Sequence, residues 1–121
     1  MRTYEDLTPA HFREWGVDWN PEQFVGIAMR EGDELRALGF VRWDEDGHAW
    51  AMFDAKPPCP AAVHKRALKM IGALKQAGVT EIYAEVDPSR PEAMGWIKHF
   101  GFEPVENVTG QMFGVWRKWL S

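Results

Sequence analysis

The chain has very little cysteine: Cys59 is the single thiol among 121 residues. One thiol cannot form an internal disulfide, and no cysteine or histidine pair has the spacing of a zinc site. A chain of this length can bury a core without a metal or a disulfide, so we expect one domain, residues 1 to 121, that folds alone. The nearest basic neighbour of Cys59 is Lys56, three residues away, so the sequence does not favour a reactive thiol.

Long apolar runs and basic clusters are also lacking. No run resembles a signal peptide or is long enough to span a bilayer. The formal net charge is −4, and the basic residues form no long run. General electrostatic binding to nucleic acid is therefore not expected. No Ser-His-Asp spacing, nucleotide-binding P-loop or metal cluster is present. These absences predict a cytoplasmic protein that binds neither membranes nor nucleic acid.

Tryptophan, in contrast, is abundant, with seven residues spread along the chain. Most of these indoles are expected to fill the core or to cover its rim, because large aromatic side chains usually do. Trp116 and Trp119, near the end of the chain, are expected to be exposed. Such a surface would favour a homodimer.

The first half of the chain predicts one helix and three strands. Thr8 is a candidate N-cap and Gly16 a stop, so a helix is expected over residues 9 to 15. Apolar runs separated by two polar turns then predict an antiparallel meander over residues 24 to 55. The segment KPPCP follows, and its three prolines should end the last strand in a stiff loop.

The second half alternates between helix and strand. An apolar stripe predicts a helix from Ala61 to about Ala77, closed by Gly78. The segment EIYAEVD predicts a buried strand, and FEPV and QMFGVWRKWL predict one or two more. A strand joined to the next through a helix should lie parallel to it, so the sheet is expected to be mixed.

Between these last strands lies the segment EAMGWIKHFGFEPV, residues 92 to 105. Its apolar residues recur with the spacing of one helix face. Pro91 suits the first helical turn, and Gly101 suits the left-handed conformation that ends a helix. The apolar positions are Ala93, Trp96, Ile97 and Phe100.

The element order and this segment resemble the GNAT superfamily of N-acetyltransferases over residues 24 to 118. A narrower resemblance, to small phage-encoded GNAT-like proteins, is carried by MGWIKHFGFEP. The resemblance implies an α/β (α+β) fold with a mixed, mostly antiparallel sheet, a central long helix and a short helix after the fifth strand. The residues that carry the family's pattern are Val86, Ala93, Trp96, Ile97, Gly101 and Phe102.

The resemblance also implies acetyl-coenzyme A as the co-substrate, with its pantetheine arm beside the short helix. Phe53 and Trp96 are the implied contacts in the cleft. The family's phosphate loop should lie in KPPCPAAVHKRA, which contains no glycine. A helix N-terminus with nearby cations remains to bind an anion, although these cations are equally expected if they form a solvated helix face. The groups concerned belong to Ala62, Val63, His64, Lys65, Arg66 and Lys69.

Direct acetyl transfer to an amine needs a base. Asp54 and Glu85 lie near the ends of two strands that part in this fold, and they are the base candidates, with Asp87 nearby. Many family members have a tyrosine acid at the position of Ile97, which has no proton to give. His64 and His99 are expected to face solvent, or phosphate in the case of His64.

Three functions stay open. The first is an acetyl-coenzyme A-dependent transferase acting on a primary amine of a small molecule or a protein, with reduced efficiency. The second is a GNAT-fold protein without catalysis that serves in assembly, for example in a phage virion. A binding module using the same cleft is a third class. The transferase requires a sheet that is open between the strands ending near Ala55 and Asp87, with no aromatic side chain filling the gap.

Overall fold

The computed structural model describes residues 1–18, 21–56, 61–86, 91–105 and 114–120. Within these ranges the chain forms seven strands and three helices. Their bounds, in chain order, are β1 Arg2–Asp6, α1 Pro9–Trp15, β2 Phe24–Glu31, β3 Glu34–Trp43, β4 Ala49–Ala55, α2 Ala61–Gln76, β5 Glu81–Val86, α3 Pro91–His99, β6 Glu103–Val105 and β7 Gly114–Trp119.

The described strands form one sheet in the order β1-β2-β3-β4-β5-β7-β6. All neighbouring strands are antiparallel except β4 and β5, which are parallel and joined through α2. The prediction of a mixed, mostly antiparallel sheet with a crossover helix is confirmed. The short helix α3 follows the fifth strand, as expected.

Strand β1 was missing from the expected order of elements. Its sequence RTYED is mostly polar, and four of its five residues are exposed, so it has none of the apolar alternation that indicates a strand. Backbone pairing with β2, from Arg2↔Glu31 to Asp6↔Ile27, holds it at the edge of the sheet. The extended conformation of β1 therefore depends on pairing with a strand that is distant in sequence.

Strand side chains alternate between the two faces of the sheet. The first face packs against α1, where the Phe12 ring meets Phe24 and Phe40 edge to face at 5.3 and 5.1 Å. The second face packs against α2 and α3. Its main cluster comprises Val41, Ala49, Ala67, Ile71, Leu74, Ile82, Ala84, Phe100, Phe102, Trp116 and Leu120.

The helices begin and end where the sequence predicts. Thr8, in extended conformation, precedes α1, and its backbone N–H donates to His11 Nδ1 at 2.9 Å. Gly16, Gly78 and Gly101 follow the three helices with φ of +94°, +97° and +84°, the left-handed conformation that favours glycine. No described helix combines the length and apolarity needed to cross a bilayer.

Candidate functional site

Strands β4 and β5 separate soon after they meet. Within the described residues their register contains one pair, Trp50↔Tyr83, although β4 continues to Ala55 and β5 to Val86. Both strands point the same way, so their carboxyl ends diverge at one edge of the sheet, where α2 also begins. The expected parting of these strands is confirmed up to Val86, whereas Asp87 lies outside the described residues.

A cavity of about 160 Å³ lies at this gap. Residues from both faces of the sheet line it. Ala51 and Ala84 belong to the second face, which packs against α2, whereas Phe40 belongs to the cluster against α1. The other lining residues are Gly39, Val41, Arg42, Trp50, Met52, Phe53, Ala67, Met70, Ile71, Glu85, Trp96, Ile97, Phe100 and Phe102.

Glu85 lies in this lining, on β5, with its side chain exposed. It follows Tyr83 by two residues and therefore shares its face, the one on which Tyr83 packs against Trp50 at 5.4 Å. This is the α1 face of the sheet. Glu85 thus lies at the cavity on the side of α1, away from the helices of the other face.

Asp54, the other base candidate, lies outside the lining of the cavity as described. Its carboxylate accepts hydrogen bonds from Trp15 Nε1 and from the Ala55 backbone N–H, each at 3.0 Å. The Lys56 ammonium also lies 5.4 Å from the centre of the Trp15 ring. Asp54 therefore fastens the end of α1 to β4, and its role as a base stays a prediction with less geometric support than that of Glu85.

No protein-family model matches the sequence, and no curated protein matches it. Solved structures do. The N-acetyltransferase of Staphylococcus aureus Mu50 superposes with a TM-score of 0.71 at 10% identity, covering 99% of this chain and 98% of that one. The Escherichia coli ribosomal-protein-S18-alanine N-acetyltransferase gives 0.71 at 16% identity, covering 100% and 95%. Campylobacter jejuni PseH in complex with acetyl coenzyme A gives 0.66 at 10%, covering all of both chains.

The chain has the GNAT fold. The expected fold family is thereby confirmed, and the narrower phage-encoded type stays a prediction. A fold does not by itself give a chain an activity, so the residues at the gap between β4 and β5 decide what this chain can do.

An aromatic cluster, made of Phe53, His64, Trp96 and Phe100, forms the wall of the cavity on the side of the N-terminus of α2, and Phe53, Trp96 and Phe100 line the cavity themselves. The Phe53 and Trp96 rings meet edge to face at 4.8 Å, and the His64 ring lies 5.8 Å from each of them. His64 belongs to the first turn of α2, whereas the helix residues lining the cavity begin one turn later at Ala67. The cluster therefore lies on the route from this helix end to the gap.

The structure places His64 half-buried, so its ring faces solvent only in part, and its contact with phosphate stays a prediction. Its ring packs against Phe100 at 5.3 Å and His99 at 5.5 Å, because His64 borders the buried stripe of α2 and α3 lies against that border. Burial lowers the pKa of His64 below its usual value, and the charge of His99 lowers it further. His99 is exposed, as expected.

This depressed pKa makes the stability of the protein dependent on pH. The folded state binds fewer protons at His64 than the unfolded state does, since the unfolded ring titrates near 6.5. Stability should therefore fall as the pH drops through 6.5 toward the folded-state pKa, and it should recover above 6.5. The measurement is the free energy of unfolding in urea at about pH 7.5 and 5.5, for the unaltered protein and for His64→Phe. The unaltered protein should lose more stability at the lower pH than the variant does. An equal loss in both proteins would contradict the assignment to His64.

The predicted anion-binding groups at the N-terminus of α2 differ in their exposure and contacts. Val63 is buried against Met29 and Ala37, so only its backbone amide remains for binding. Lys65 and Lys69 are exposed, which also fits a solvated helix face. Arg66 places its guanidinium 4.3 Å from the centre of the Tyr4 ring on β1. The role of these groups and of Ala62 in binding stays a prediction, and Cys59 lies outside the described residues.

The structure also shows the positions of Ile97, Trp116 and Trp119, for which the sequence made predictions. Ile97 lines the cavity, where the GNAT resemblance places the missing tyrosine. Trp116 is 7% exposed and Trp119 55%, so the prediction that both are exposed is wrong for Trp116, whose face of β7 packs into the main cluster. A homodimer stays a prediction, now supported by Trp119 alone.

The sequence interpretation missed Arg42 and Trp50, which line the cavity at the α1 face. The Asp44 carboxylate accepts hydrogen bonds from Trp50 Nε1 at 2.9 Å and from the backbone N–H groups of Asp46 and His48 at 3.0 and 2.8 Å. The bond from Trp50 is the main cause that lowers the pKa of Asp44. Asp44, Asp46 and His48 also bring their ligand atoms within 4.8 Å of one another, and these bonds explain the grouping. The sequence signal that could have revealed Arg42 was the presence of an arginine inside the apolar strand β3.

Proposed function

We propose that this protein is an acetyl-coenzyme A-dependent N-acetyltransferase that transfers the acetyl group directly to a primary amine. The observation that carries the proposal is the gap between β4 and β5, which holds a cavity lined by residues of both faces of the sheet. A thioester entering from the side of α2 and an amine entering from the side of α1 could meet there. Glu85 lies at the amine's side of the gap.

The residues around the gap fit the co-substrate. Beyond Trp50 and Tyr83, the facing edges of β4 and β5 do not pair with each other in the described register, so their backbone groups can bond to the amides of a pantetheine arm. Phe53 and Trp96 supply apolar contacts beside it. The backbone N–H groups at the start of α2, with Lys65 and Arg66, supply donors and positive charge for phosphates. When bound, acetyl-coenzyme A supplies an activated acyl group.

Glu85 is the proposed proton acceptor in the transfer. The amine nitrogen bonds to the acyl carbon as the carbon–sulfur bond breaks, and a proton leaves the nitrogen. Glu85 accepts that proton, directly or through one water. The departing thiolate takes a proton from solvent, because Ile97 has none to give. A positioned acid is typically worth about 10² to 10⁴ in rate, so we expect a slow enzyme.

The test is an assay of acetyl transfer. The full chain is mixed with acetyl-coenzyme A and a panel of primary amines, and both thiol release and the acetylated product are measured. We expect amine-dependent thiol release with equal amounts of N-acetyl product. Thiol release that no amine stimulates, or an amine panel that yields no acetylated product, would contradict the proposal.

A second candidate is a GNAT-fold protein without catalysis that serves in assembly. The aromatic cluster favours it, since Phe53, His64 and Trp96 lie in contact on the route from the start of α2 to the gap. Replacing the Phe53 ring with the smaller side chain of leucine (Phe53→Leu) separates the transferase from the protein without catalysis. If the cluster blocks the pantetheine arm, coenzyme A should bind the variant more tightly than it binds the unaltered protein. If the cluster instead forms a wall along which the arm lies, coenzyme A should bind the variant equally well or more weakly.

A further inference from the structure

Helix α3 supplies one wall of the cavity. Trp96 and Ile97 of this helix, and Phe100 directly after it, are among the lining residues. The helix is nine residues long, and a helix of this length is marginal in water unless tertiary contacts hold it in place. The contacts that fix α3 against the sheet therefore also fix this wall of the cavity.

The end of α3 is closed by a backbone motif and by one side chain. The Phe102 N–H donates to the Ile97 carbonyl at 3.1 Å across the left-handed Gly101, as in a Schellman motif. The Phe100 carbonyl, in the same turn, accepts a hydrogen bond from Lys118 Nζ of β7. A cation at this position also interacts favourably with the negative end of the helix dipole.

Lys118 reaches this carbonyl from the sheet. Its neighbour on β5 is Ile82, and β5 forms one side of the gap. Lys118 follows the buried Trp116 by two residues, so its side chain lies on the second face, toward the helices. An added Cβ on Gly101 would lie 3.1 Å from Lys118 Nζ, so the glycine leaves the space that the ammonium occupies. The bond thus joins the helix wall of the cavity to the strand that pairs with β5.

Two other basic residues lie at the same helix end, but they differ from Lys118 in their exposure. Lys98 and His99 belong to the last turn of α3, and both side chains are exposed, so solvent and salt screen their effect on the helix. Lys118 is half-buried, and its ammonium donates directly to a backbone carbonyl. Because hydrogen bonds from a charged donor are the stronger kind, Lys118 should contribute most to holding this end of α3.

We infer that Lys118 is a positioning residue for acetyl-coenzyme A. It holds the end of α3, and through α3 it keeps Trp96 and Ile97 where they contact the pantetheine arm. This inference rests on the proposed function, because that function places the arm beside α3. Without the bond, the wall must be ordered each time the co-substrate binds, and ordering side chains costs affinity. Lys118 is outside the described lining of the cavity, so the chemical step should not depend on it.

The test compares Lys118→Met with the unaltered protein. Methionine is also long and unbranched, but it has neither the charge nor an N–H donor. In calorimetry, coenzyme A should bind the variant about tenfold more weakly. Adenosine 3′,5′-bisphosphate, which lacks the pantetheine arm, should bind both proteins equally. In the acetyl-transfer assay, the KM for acetyl-coenzyme A should rise while kcat stays unchanged, because only binding is affected.

Three further variants control the result. Lys98→Met removes a charge from the same helix end without removing the bond to Phe100, so it should leave both affinities unchanged. Lys118→Arg keeps a charged donor and should retain most of the affinity for coenzyme A. Lys118→Gln keeps a polar group but is shorter and neutral, and it should weaken coenzyme A binding even if Lys118→Met fails to fold.

The inference and the proposed function can fail separately. The inference would be overturned if coenzyme A bound the unaltered protein and both neutral variants of Lys118 equally tightly. It would also be overturned by an equal loss of affinity for the bisphosphate, or by an equal loss in Lys98→Met. Each of these results would leave the transferase in place. Failure of the unaltered protein to bind coenzyme A would contradict the proposed function, and the inference with it.

Discussion

Replacing Glu85 with glutamine is expected to lower kcat for acetyl transfer by about 10²- to 10⁴-fold. Glutamine keeps the size and the hydrogen-bonding shape of the side chain, but its amide cannot take a proton from the attacking amine. Glu85 lies in the lining of the cavity at the α1 face, so the loss should fall on the chemical step. The measurement is the rate of thiol release at saturating acetyl-coenzyme A.

The matched control is Glu81→Gln. Glu81 lies on the same strand and, four residues earlier, on the same face as Glu85, but it is outside the lining of the cavity. Its variant should keep full activity, and both variants should bind coenzyme A as the unaltered protein does. Full turnover in Glu85→Gln, or an equal loss in both variants, would show that the base is another group.

Gly26→Ala is expected to destabilise the fold by about 3 kcal/mol, at the upper end of the usual cost of overpacking. A Cβ atom on Gly26 would lie 2.3 Å from the Gly39 backbone oxygen and 2.6 Å from Phe40 Cβ. Real Cβ atoms do not approach a backbone so closely, so β2 and β3 would have to move apart. Urea unfolding monitored by tryptophan fluorescence measures the change.

Gly72→Ala is the control for this substitution. Gly72 is exposed on α2, and no heavy atom outside its own helix surroundings lies within 4 Å of an added Cβ. Alanine favours a helix over glycine, so this variant should gain roughly 0.5 to 1 kcal/mol. The two variants are thus expected to shift the unfolding midpoint in opposite directions. A midpoint for Gly26→Ala equal to that of the unaltered protein would contradict the close packing of β2 on β3.

Much of the fold could be predicted from local patterns. The stripe of α2 follows from the recurrence of Val63, Ala67, Ile71 and Leu74, all of which are buried. The turn at Gly32, with φ of +61°, follows from the polar break between two apolar runs. Strand β1 could not be found in this way, because its polar residues are ordered by backbone bonds to β2.

The site was harder to predict from the sequence than the fold, because it depends on contacts between segments that are distant in the chain. Family resemblance placed Glu85 and Trp96 near the gap, and both line the cavity. The inward position of His64 depends on the packing of α3 against α2, which no periodicity reveals. The stack of Arg42 on Trp50 depends on the register of β3 and β4, in which these two residues are paired.

The open gap between β4 and β5 is tested most directly by calorimetry with coenzyme A. The comparison ligand is adenosine 3′,5′-bisphosphate, which lacks the pantetheine arm and cannot enter the gap. We expect coenzyme A to bind with a micromolar Kd, at least about tenfold more tightly than the bisphosphate, because the arm adds contacts along the strand edges and the apolar lining. A Kd for coenzyme A weaker than about 1 mM, or equal affinities for the two ligands, would contradict the account.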